Sequence, residues 1–428
     1  MKIIITDGNN RAALAITRSL GREGHDVVVG GEQHPSLSSK SRFCSETFLY
    51  PDPRKDDQGF TRMVLDVIKE KKPDVLLPVT DVTTLIVAEN KKILEKHCLV
   101  PFPDFEMADQ AANKLTLMKL AEQLGIPVPK TIYMEKPDDL ELALSSCKKI
   151  GYPIVIKPSR SRIRRVNGWI GTGVKYANDE KELRDIICNG ERNGEYPLLL
   201  QERIYGDGVG LFLGINQGEV VAAFSHRRLR EKPPSGGVSV LCESLPLNPL
   251  LKKYSEQLLR ALNWHGIAMV EFKRDVRTGE FKLMEINGRF WGSLQLAIDS
   301  GVNFPSILVK IANGEKMIPV LDYKVGVKNR WFWGDVDVLL SLLLKSKKTL
   351  KLPPEYPSRW RSFLSFMRFW GRDLHYEVFN RDDIGPWLFE TRSWFFRNLY
   401  PVRNNTPLLP PGQTPSGPAA AARDDWNF

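Results

Sequence analysis

Cysteine and uninterrupted apolar sequence are both scarce in this 428-residue chain. The five cysteines stand singly, without a CxxC pair or a histidine cluster, which argues against a zinc site, a redox motif or a disulfide framework. The start, MKIIITDGNN, lacks the apolar segment of a signal peptide. No run reaches the roughly 18 apolar residues that a membrane-spanning helix needs. We therefore expect a cytoplasmic protein, with peripheral membrane association left open.

Acidic residues are outnumbered, since 51 Asp and Glu stand against 61 Lys and Arg and give a net charge of +10. A basic surface favours anionic partners such as nucleotide phosphate, acidic substrates, nucleic acid or anionic lipid. No RRM, helix-turn-helix or zinc-finger pattern accompanies the charge, so nucleic acid is not expected. Small-molecule substrates are the expected partners, and a homo-oligomer is compatible with the sequence.

Residues 1–107 have the pattern of a small α/β domain. A strand at 2–6 leads through the loop DGNNR into an amphipathic helix ending at Gly24, and DVVVGG follows as a second strand. Arg11 at the helix start offers a place for an anion, but the loop lacks the second glycine of GxGxxG, which disfavours a dinucleotide site. Helices over 60–72 and 84–96 and a strand over 74–79 complete a doubly wound domain.

The next stretch contains two lysines and a basic loop in positions suited to phosphate. A helix over 108–126 carries Lys114, and the strand IVIKPS ends near Lys157. The loop that follows, SRSRIRRVNGWIGTG, could close over polyphosphate with its guanidinium and backbone N–H groups. A solvated basic hairpin or a nucleic-acid patch explains it equally well.

Two β-like runs, Ile267 to Lys273 and Phe281 to Asn287, flank a Thr278-Gly279 turn signal and predict a hairpin. Folding about Thr278 places Glu271 opposite Glu285, with Asn287 and Arg289 on the same face. Two facing carboxylates repel unless a cation or a shared proton lies between them, and oxygen ligands suit Mg²⁺ or Mn²⁺. A solvated acidic edge is the alternative.

This order of motifs resembles the ATP-grasp superfamily, in particular carboxylate–amine ligases and the related carbamoyl-phosphate synthetase and biotin carboxylase domains. The resemblance covers about residues 1–320 and depends on the helix lysine, IVIKP, LLLQERI and the EF…MEINGR pair. It implies an α/β and α+β fold. A Rossmann-like pre-ATP-grasp domain over 1–107 would precede a two-part ATP-grasp core over 108–320, with a lid subdomain at about 127–205 and ATP between the two parts.

The resemblance implies ATP and Mg²⁺ (or Mn²⁺) as cofactors and assigns five residues to the nucleotide. The phosphates would meet Lys114 and Lys157, and the adenine and ribose would meet Glu202, Ile204 and Asp207. Asp207 is only a substitute ribose contact, because relatives often carry an acidic residue where this chain has Val209.

By the same resemblance, the metal would be held by Glu271, Glu285 and Asn287, and Arg289 would contact the transferred phosphoryl group or the acceptor carboxylate. Amide formation also needs donors to its oxyanion, and Arg289 and Arg228 are the candidate catalytic residues for that step. The implied activity is that of an ATP-dependent, ADP-forming ligase, which activates a carboxylate as an acyl phosphate and condenses it with an amine. The alternatives are a carboxylase or carbamoyl-phosphate-type enzyme that uses bicarbonate, and a non-catalytic ATP-binding module. Small-molecule carboxylates and amines would be its substrates.

Several features outside these motifs have more than one interpretation. His226 could be a general base but is more often structural at a strand end, and Arg228 and Arg230 share its strand and its predicted cleft face. The PPSGG loop at 233–237 is either a lid or a plain turn.

The C-terminal part has its own composition. Residues 321–405 interleave Trp, Phe and Arg in a mainly helical pattern that suits lipid contact, a substrate or oligomer contact, or packing on the core. Residues 406–428 are Pro-, Gly- and Ala-rich and are predicted to be a disordered tail.

Overall fold

The computed structural model describes residues 1–136, 139–166, 168–188, 196–350, 352 and 356–399. Within these ranges the strands form three larger sheets and one two-stranded hairpin. The sheet nearest the N-terminus is parallel, whereas the other two are almost entirely antiparallel. This combination confirms the predicted mixed α/β and α+β fold class.

The parallel sheet has the strand order β3-β2-β1-β4. Its strands are β1, Lys2–Ile5; β2, Asp26–Gly31; β3, Glu46–Leu49; and β4, Val75–Leu77. Its helices are α1, Arg11–Arg22; α2, Asp57–Lys71; α3, Asp81–Glu89; and α4, Lys91–Leu94. Helix α1 begins where the Asn10 side chain accepts a hydrogen bond from the Ala12 N–H at 2.8 Å. The parallel pairing of β1 with β2 confirms the predicted β-α-β unit.

A second, antiparallel sheet follows, with the strand order β5-β10-β6-β9. The segments up to its last strand are α5, Phe105–Ala112; α6, Lys114–Gln123; β5, Thr131–Met134; α7, Leu140–Ile150; β6, Ile154–Pro158; β7, Arg162–Arg165; β8, Gly168–Gly171; β9, Lys175–Ala177; α8, Glu180–Cys188; and β10, Leu198–Glu202. Strands β7 and β8 form the separate hairpin. Leu144 of α7 and Leu183 of α8 are buried against the sheet, which closes a small core over the region predicted as the lid.

The largest sheet organises the second half of the chain, with the strand order β15-β14-β11-β12-β13-β16-β17. Its strands and the helices between them are β11, Gly208–Asn216; β12, Glu219–Lys232; β13, Val238–Ser244; α9, Pro249–Ala261; β14, Gly266–Arg274; β15, Phe281–Asn287; α10, Leu294–Asp299; α11, Phe304–Ala312; β16, Lys328–Arg330; and β17, Leu374–Tyr376. One face packs on α6 and α9 through Leu211 and Leu213, and the other packs on α1, α10 and α11 through Phe212 and Phe224. The sheet therefore joins both ends of the chain.

Helices predicted as continuous are broken in three places. The predicted helix 108–126 consists of α5 and α6, because Asn113 is extended (φ −89°, ψ 101°) and its side chain accepts from the Leu115 N–H. Lys114 is thus the first residue of a helix. The predicted helix 84–96 is divided at Asn90, and the sequence of residues 293–313, which also predicts one helix, forms α10 and α11 with a turn between them in which Gly301 has φ +104°.

The C-terminal extension is less helical than predicted, because β16 and β17 join the large sheet. Its helices are α12, Phe332–Leu344; α13, Arg359–Phe366; and α14, Gly385–Leu399. Buried ion pairs fix it to the rest of the fold, including Arg18 with Asp383 at 2.8 Å. The predicted disordered tail, 406–428, lies outside the described residues. Across the part that the structure describes, every helix is too short or too polar to cross a membrane.

Candidate active site

The β14–β15 hairpin has the predicted register, with Glu271 directly opposite Glu285. A bulge follows at once, since Phe272 pairs with Leu283. Strand β14 also pairs with β11, so Glu271 lies within the sheet and is only 7% exposed. The alternative of a solvated acidic edge is therefore wrong for this carboxylate.

Each of the two facing carboxylates has its own cation. Arg228, on β12, donates to Glu271 and also to Glu231 at 2.9 Å. Lys114 Nζ lies 3.2 Å from Glu285 Oε2. Because the two acids are neutralised from different elements, they can face each other in the folded chain.

The two carboxylates differ in proton affinity. Burial raises the pKa of Glu271, helped by Glu285 and opposed by Arg228. Burial also acts to raise the pKa of Glu285, but Lys114, the Asn287 hydrogen bond and Lys157 outweigh it and hold that pKa at about 2. Glu285 is therefore ionised at every physiological pH, as a metal ligand must be.

The donor atoms on this face are all oxygens, as Mg²⁺ or Mn²⁺ requires. Asn287 donates through Nδ2 to Glu285 Oε1 at 3.1 Å, so its amide lies beside the carboxylate pair. No group of three His, Cys, Asp or Glu side chains suited to a metal occurs among the described residues. Two carboxylates and an amide oxygen suit a hard cation that takes its remaining ligands from water and substrate phosphate, and their oxygen chemistry does not suit zinc.

Two lysines lie beside the face that carries the carboxylates. Lys157 belongs to β6 of the smaller antiparallel sheet, and Lys114 is the first residue of helix α6. Lys114 Nζ donates to Ser161 Oγ at 2.7 Å, and Lys157 Nζ lies 4.0 Å from Met284 Sδ. Burial lowers the pKa of Lys157 to about 8, although Glu285 opposes the shift. The structure thus brings both predicted phosphate lysines to the carboxylate hairpin.

The residues predicted to contact the adenine and ribose lie at the end of strand β10 and just after it. The Glu202 N–H donates to the Lys130 carbonyl at 3.0 Å, and its carboxylate accepts from the Lys130 N–H at 3.0 Å. Ile204 is buried, whereas Asp207 is exposed and its carbonyl accepts from the Arg274 N–H at 3.2 Å. The Glu202 side chain and N–H are thus already occupied within the protein, and the adenine and ribose contacts stay predictions.

Arg289 connects the hairpin to the parallel sheet. Its Nε donates to Asp81 Oδ1 at 2.5 Å, and its Nη2 lies 3.4 Å from Asn287 Oδ1. Burial alone would lower the pKa of Arg289, but Asp81 raises it, so the guanidinium is held charged. Sequence reasoning missed Asp81. Asp81 follows strand β4 at the start of α3. Ligand-binding residues of open parallel sheets commonly lie at the carboxyl ends of the strands, and this position is the signal that could have identified Asp81.

The basic hairpin of β7 and β8 packs on the N-terminal region. Arg164 pairs with Asp57 at 2.5 Å and with Glu89 at 2.9 Å, while the Trp169 N–H donates to the Arg54 carbonyl at 2.6 Å. These contacts attach the hairpin to the N-terminal region at Arg164 and Trp169, while Arg165 is exposed.

Two residues predicted to share a cleft face with Arg228 lie elsewhere. His226 is fully buried, stacks on Phe212 with ring centroids 4.7 Å apart, and lies 2.9 Å from Ser293 Oγ. Burial lowers its pKa to about 3, which suits a structural role rather than a general base. A bulge after Arg228 turns Arg230 away to Asp335, at 2.5 Å. The prediction of a common cleft face was wrong for both.

Several known proteins resemble this chain in sequence or in fold. A family model described as "ATP-grasp in the biosynthetic pathway with Ter operon" matches residues 196–332, which include β11 to β15. The N-terminal section of the Methanopyrus kandleri carbamoyl phosphate synthase large chain is 23% identical over 360 residues, covering 73% of this chain and 58% of that protein. D-aspartate ligase of Enterococcus faecium is 21% identical over 259 residues, covering 58% and 62%.

Among solved structures, a biotin carboxylase domain dimer from Hydrogenobacter thermophilus 2-oxoglutarate carboxylase, in complex with MgADP, ADP and bicarbonate, matches with a TM-score of 0.60. The identity is 18%, and the match covers 76% of this chain and 73% of that one. At this identity the likeness concerns the fold. The chain spans about three fifths of the length of the two curated relatives.

Proposed function

We propose that this chain, which contains an ATP-grasp domain, is an ATP-dependent, ADP-forming ligase that activates a carboxylate as an acyl phosphate and condenses it with an amine. The observation that carries the proposal is the convergence at one hairpin of Glu271 and Glu285 with Lys114, Lys157 and Arg289. Acids for a divalent cation, lysines for phosphate and a fixed guanidinium are what phosphoryl transfer to a carboxylate needs.

Lys114 and Lys157 would hold the nucleotide phosphates. The Lys114 ammonium lies 3.2 Å from Glu285 Oε2 and would take a phosphate oxygen as a further anionic partner. Burial disfavours the charged form of Lys157 and lowers its pKa to about 8. An incoming phosphate would stabilise the charged ammonium by placing a negative charge beside it.

Glu271, Glu285 and Asn287 would hold Mg²⁺ or Mn²⁺. When bound, the cation supplies positive charge to the phosphate oxygens and so lowers the barrier to phosphoryl transfer. The protein's own part is to hold two carboxylates and an amide on one face, with Arg228 and Lys114 limiting their mutual repulsion.

The chemistry then has two steps. A carboxylate oxygen of the acid attacks the terminal phosphorus of ATP, the bond to the bridging oxygen breaks, and ADP leaves. The amine nitrogen next attacks the acyl carbon, the carbon–oxygen bond to phosphate breaks, and phosphate and a proton leave with the amide formed. Arg289 and Arg228, whose guanidinium groups contact Asn287 and Glu271, would stabilise the oxyanion.

Bicarbonate is the second candidate acceptor of the phosphoryl group. It is favoured by the fold likeness to a biotin carboxylase domain in complex with bicarbonate, and by the sequence likeness to a carbamoyl phosphate synthase large chain. The likeness to a D-aspartate ligase favours the amine-condensing reaction. A non-catalytic ATP-binding module is the weakest candidate, because the complete acid, amide and lysine set is retained.

An ADP-release screen tests the proposal. The full chain would be incubated with ATP and Mg²⁺, and with amino acids, dipeptides and amino sugars singly and in pairs, alongside a bicarbonate arm. We expect ADP release only when an acid and an amine are both present. Mass spectrometry should then detect the condensed product. Release with bicarbonate alone would transfer the assignment to the second candidate, and ATP binding without release in any arm would contradict both.

The described cysteines are all free thiols, which supports a reducing, cytoplasmic location for this reaction. We propose that location together with small-molecule acid and amine substrates.

A further inference from the structure

The helix α13 carries apolar residues on two opposite faces. One face packs inward, where Ser362 and Phe366 are buried and the Arg330 guanidinium lies 4.3 Å from the Phe366 ring centroid. The other face is bare. Trp360 is 66% exposed, Leu364 50% and Met367 47%, and they recur at the spacing of one helical stripe. A helix that needs only one apolar face for folding thus presents a second one to its surroundings.

A further tryptophan extends this bare stripe beyond the helix. Trp370 is 90% exposed, and among the described rings it contacts Phe369 in a T-shaped arrangement with centroids 5.8 Å apart. Tryptophan has a large apolar ring and one N–H donor, a combination that favours the boundary between water and lipid. We call Trp360, Leu364, Met367 and Trp370 the aromatic stripe.

Two exposed arginines, Arg361 and Arg368, flank the aromatic stripe. Between residues 338 and 372 the sequence has eight Lys and Arg and a single acid, Glu355. On α13, Arg361 is exposed beside the stripe, and Arg368 is exposed just after it. Within the described residues, neither guanidinium is paired with a carboxylate.

We propose that the aromatic stripe and its flanking arginines dock the protein on a membrane surface that contains anionic lipid. The stripe would lie at the headgroup level, and Arg361 and Arg368 would pair with phosphate groups beside it. Charge complementarity selects this occupant, since an anionic bilayer offers both negative headgroups and an apolar boundary to the same side of one helix. The helix lies along the surface and does not cross it. This inference does not depend on the proposed ligase chemistry.

Vesicle flotation of the full chain tests the proposal. Vesicles of phosphatidylcholine alone would be compared with vesicles containing about 30 mol% phosphatidylglycerol. We expect binding only to the anionic vesicles, with loss at high salt. The double variants Trp360→Ala/Trp370→Ala and Arg361→Glu/Arg368→Glu should each bind at least about tenfold more weakly.

A matched control is available on another surface. Ile318 is 90% exposed and Arg260 is exposed on α9, so Ile318→Ala/Arg260→Glu changes one exposed apolar and one exposed basic residue without touching the stripe. The control should bind like the unmodified chain, and all three variants should keep its ADP-release activity. Equal binding by all variants, or no binding to anionic vesicles, would overturn the proposal. Light scattering gives a further test of the proposal. If the unmodified chain is a dimer and only the tryptophan variant is a monomer, the stripe is a contact between two copies and the proposal is overturned.

Discussion

Glu271 and Glu285 face each other across β14 and β15, yet each carboxylate is neutralised by a cation from a different part of the chain. Arg228 comes from β12, which lies two strands from β14 in the same sheet, and Lys114 comes from the start of α6. The repulsion that the facing pair would otherwise create is thus divided between two ion pairs. Each acid therefore depends on its own cation for its place in the folded chain.

Replacement of Glu285 by Gln should abolish turnover while leaving the fold intact. The amide keeps the size and one oxygen but loses the charge that a divalent cation requires, so we expect ADP release to fall by at least about a thousandfold. Circular dichroism and the melting temperature should change little. Glu280→Gln, on the exposed turn of the same hairpin, is the control and should keep full activity. Comparable activity in the two variants would disprove the metal assignment.

Arg289→Lys should be almost as damaging as removal of the side chain. The guanidinium contacts Asp81, the Phe290 carbonyl and Asn287 at once, and a lysine cannot make this forked set of contacts. We expect a fall in kcat/KM of about a hundredfold or more, measured with the acid as the varied substrate. Arg274→Lys at the exposed end of β14 should have no such effect, and an unchanged kcat/KM in Arg289→Lys would exclude a role for the guanidinium in the reaction.

Affinity for ATP should fall as pH rises above about 8. Burial sets the pKa of Lys157 at about 8, so the ammonium is present below that pH and is lost above it, whereas phosphate binding favours the charged form. The Kd for ATP should be nearly constant below pH 8 and weaken by up to about tenfold per pH unit above it.

An arginine keeps its charge throughout this range, so Lys157→Arg should remove the alkaline limb of the ATP affinity profile. Lys175→Arg, on the adjacent strand β9, should leave the limb in place. Isothermal titration calorimetry at several pH values measures both. An identical limb in Lys157→Arg would mean that another group titrates.

Arg18→Met should destabilise the fold strongly. The Arg18 guanidinium is buried, pairs with Asp383 and donates to the carbonyls of Glu377 and Val378, which fixes the C-terminal extension on α1. Removal leaves the Asp383 charge buried without its cation, at a cost of about 3–5 kcal/mol in the free energy of unfolding. The exposed pair of Arg184 and Glu141 provides the control, since Arg184→Met should leave the urea-denaturation midpoint nearly unchanged. Similar costs for the two would contradict the structure.

Glu390→Gln should change how stability depends on pH. Burial raises the pKa of Glu390 from 4.5 to about 7, against the opposing Trp331 hydrogen bond and Arg11. Between these values the folded chain binds more protons than the unfolded chain, so this group's contribution is full below about pH 4.5 and is lost as pH rises through 7.

The Glu390→Gln variant should therefore lose less stability than the unmodified chain between pH 4.5 and 7, by up to about 1.4 kcal/mol per pH unit. The amide oxygen can still accept from Trp331 Nε1, so packing is retained. Glu219→Gln, which is exposed, should not alter the profile. Parallel urea-denaturation profiles for the unmodified chain and Glu390→Gln would show that Glu390 is ionised throughout.

Local sequence patterns predicted the parts of the fold that depend on nearby residues. The period of two in β14 and β15 and the turn at Thr278 were sufficient to place Glu271 opposite Glu285. Helix interruptions were missed where a single polar residue such as Asn113 caps a new helix within an otherwise continuous periodic segment. The outcome there depends on a competition between side-chain and backbone hydrogen bonds that periodicity does not record.

Long-range partners could not be predicted from one sequence. Asp81 contacts Arg289 across 208 positions of the chain, and Arg230 contacts Asp335 only because a bulge changes the direction of β12 after Arg228. The burial of His226 likewise depends on Phe212 and Ser293, which come from other strands and loops. The sequence supplied the residue types of the site, and tertiary packing determines which of them meet.

The transfer of oxygen from the acid to phosphate tests the central claim most directly. If the carboxylate of the acid substrate is labelled with ¹⁸O and the full reaction is run with ATP and amine, an acyl phosphate must pass one labelled oxygen to inorganic phosphate. Mass spectrometry of the phosphate should then show one ¹⁸O for each amide formed, and none with Glu285→Gln. Amide formation that leaves the phosphate unlabelled would show that the carboxylate is not activated by phosphorylation.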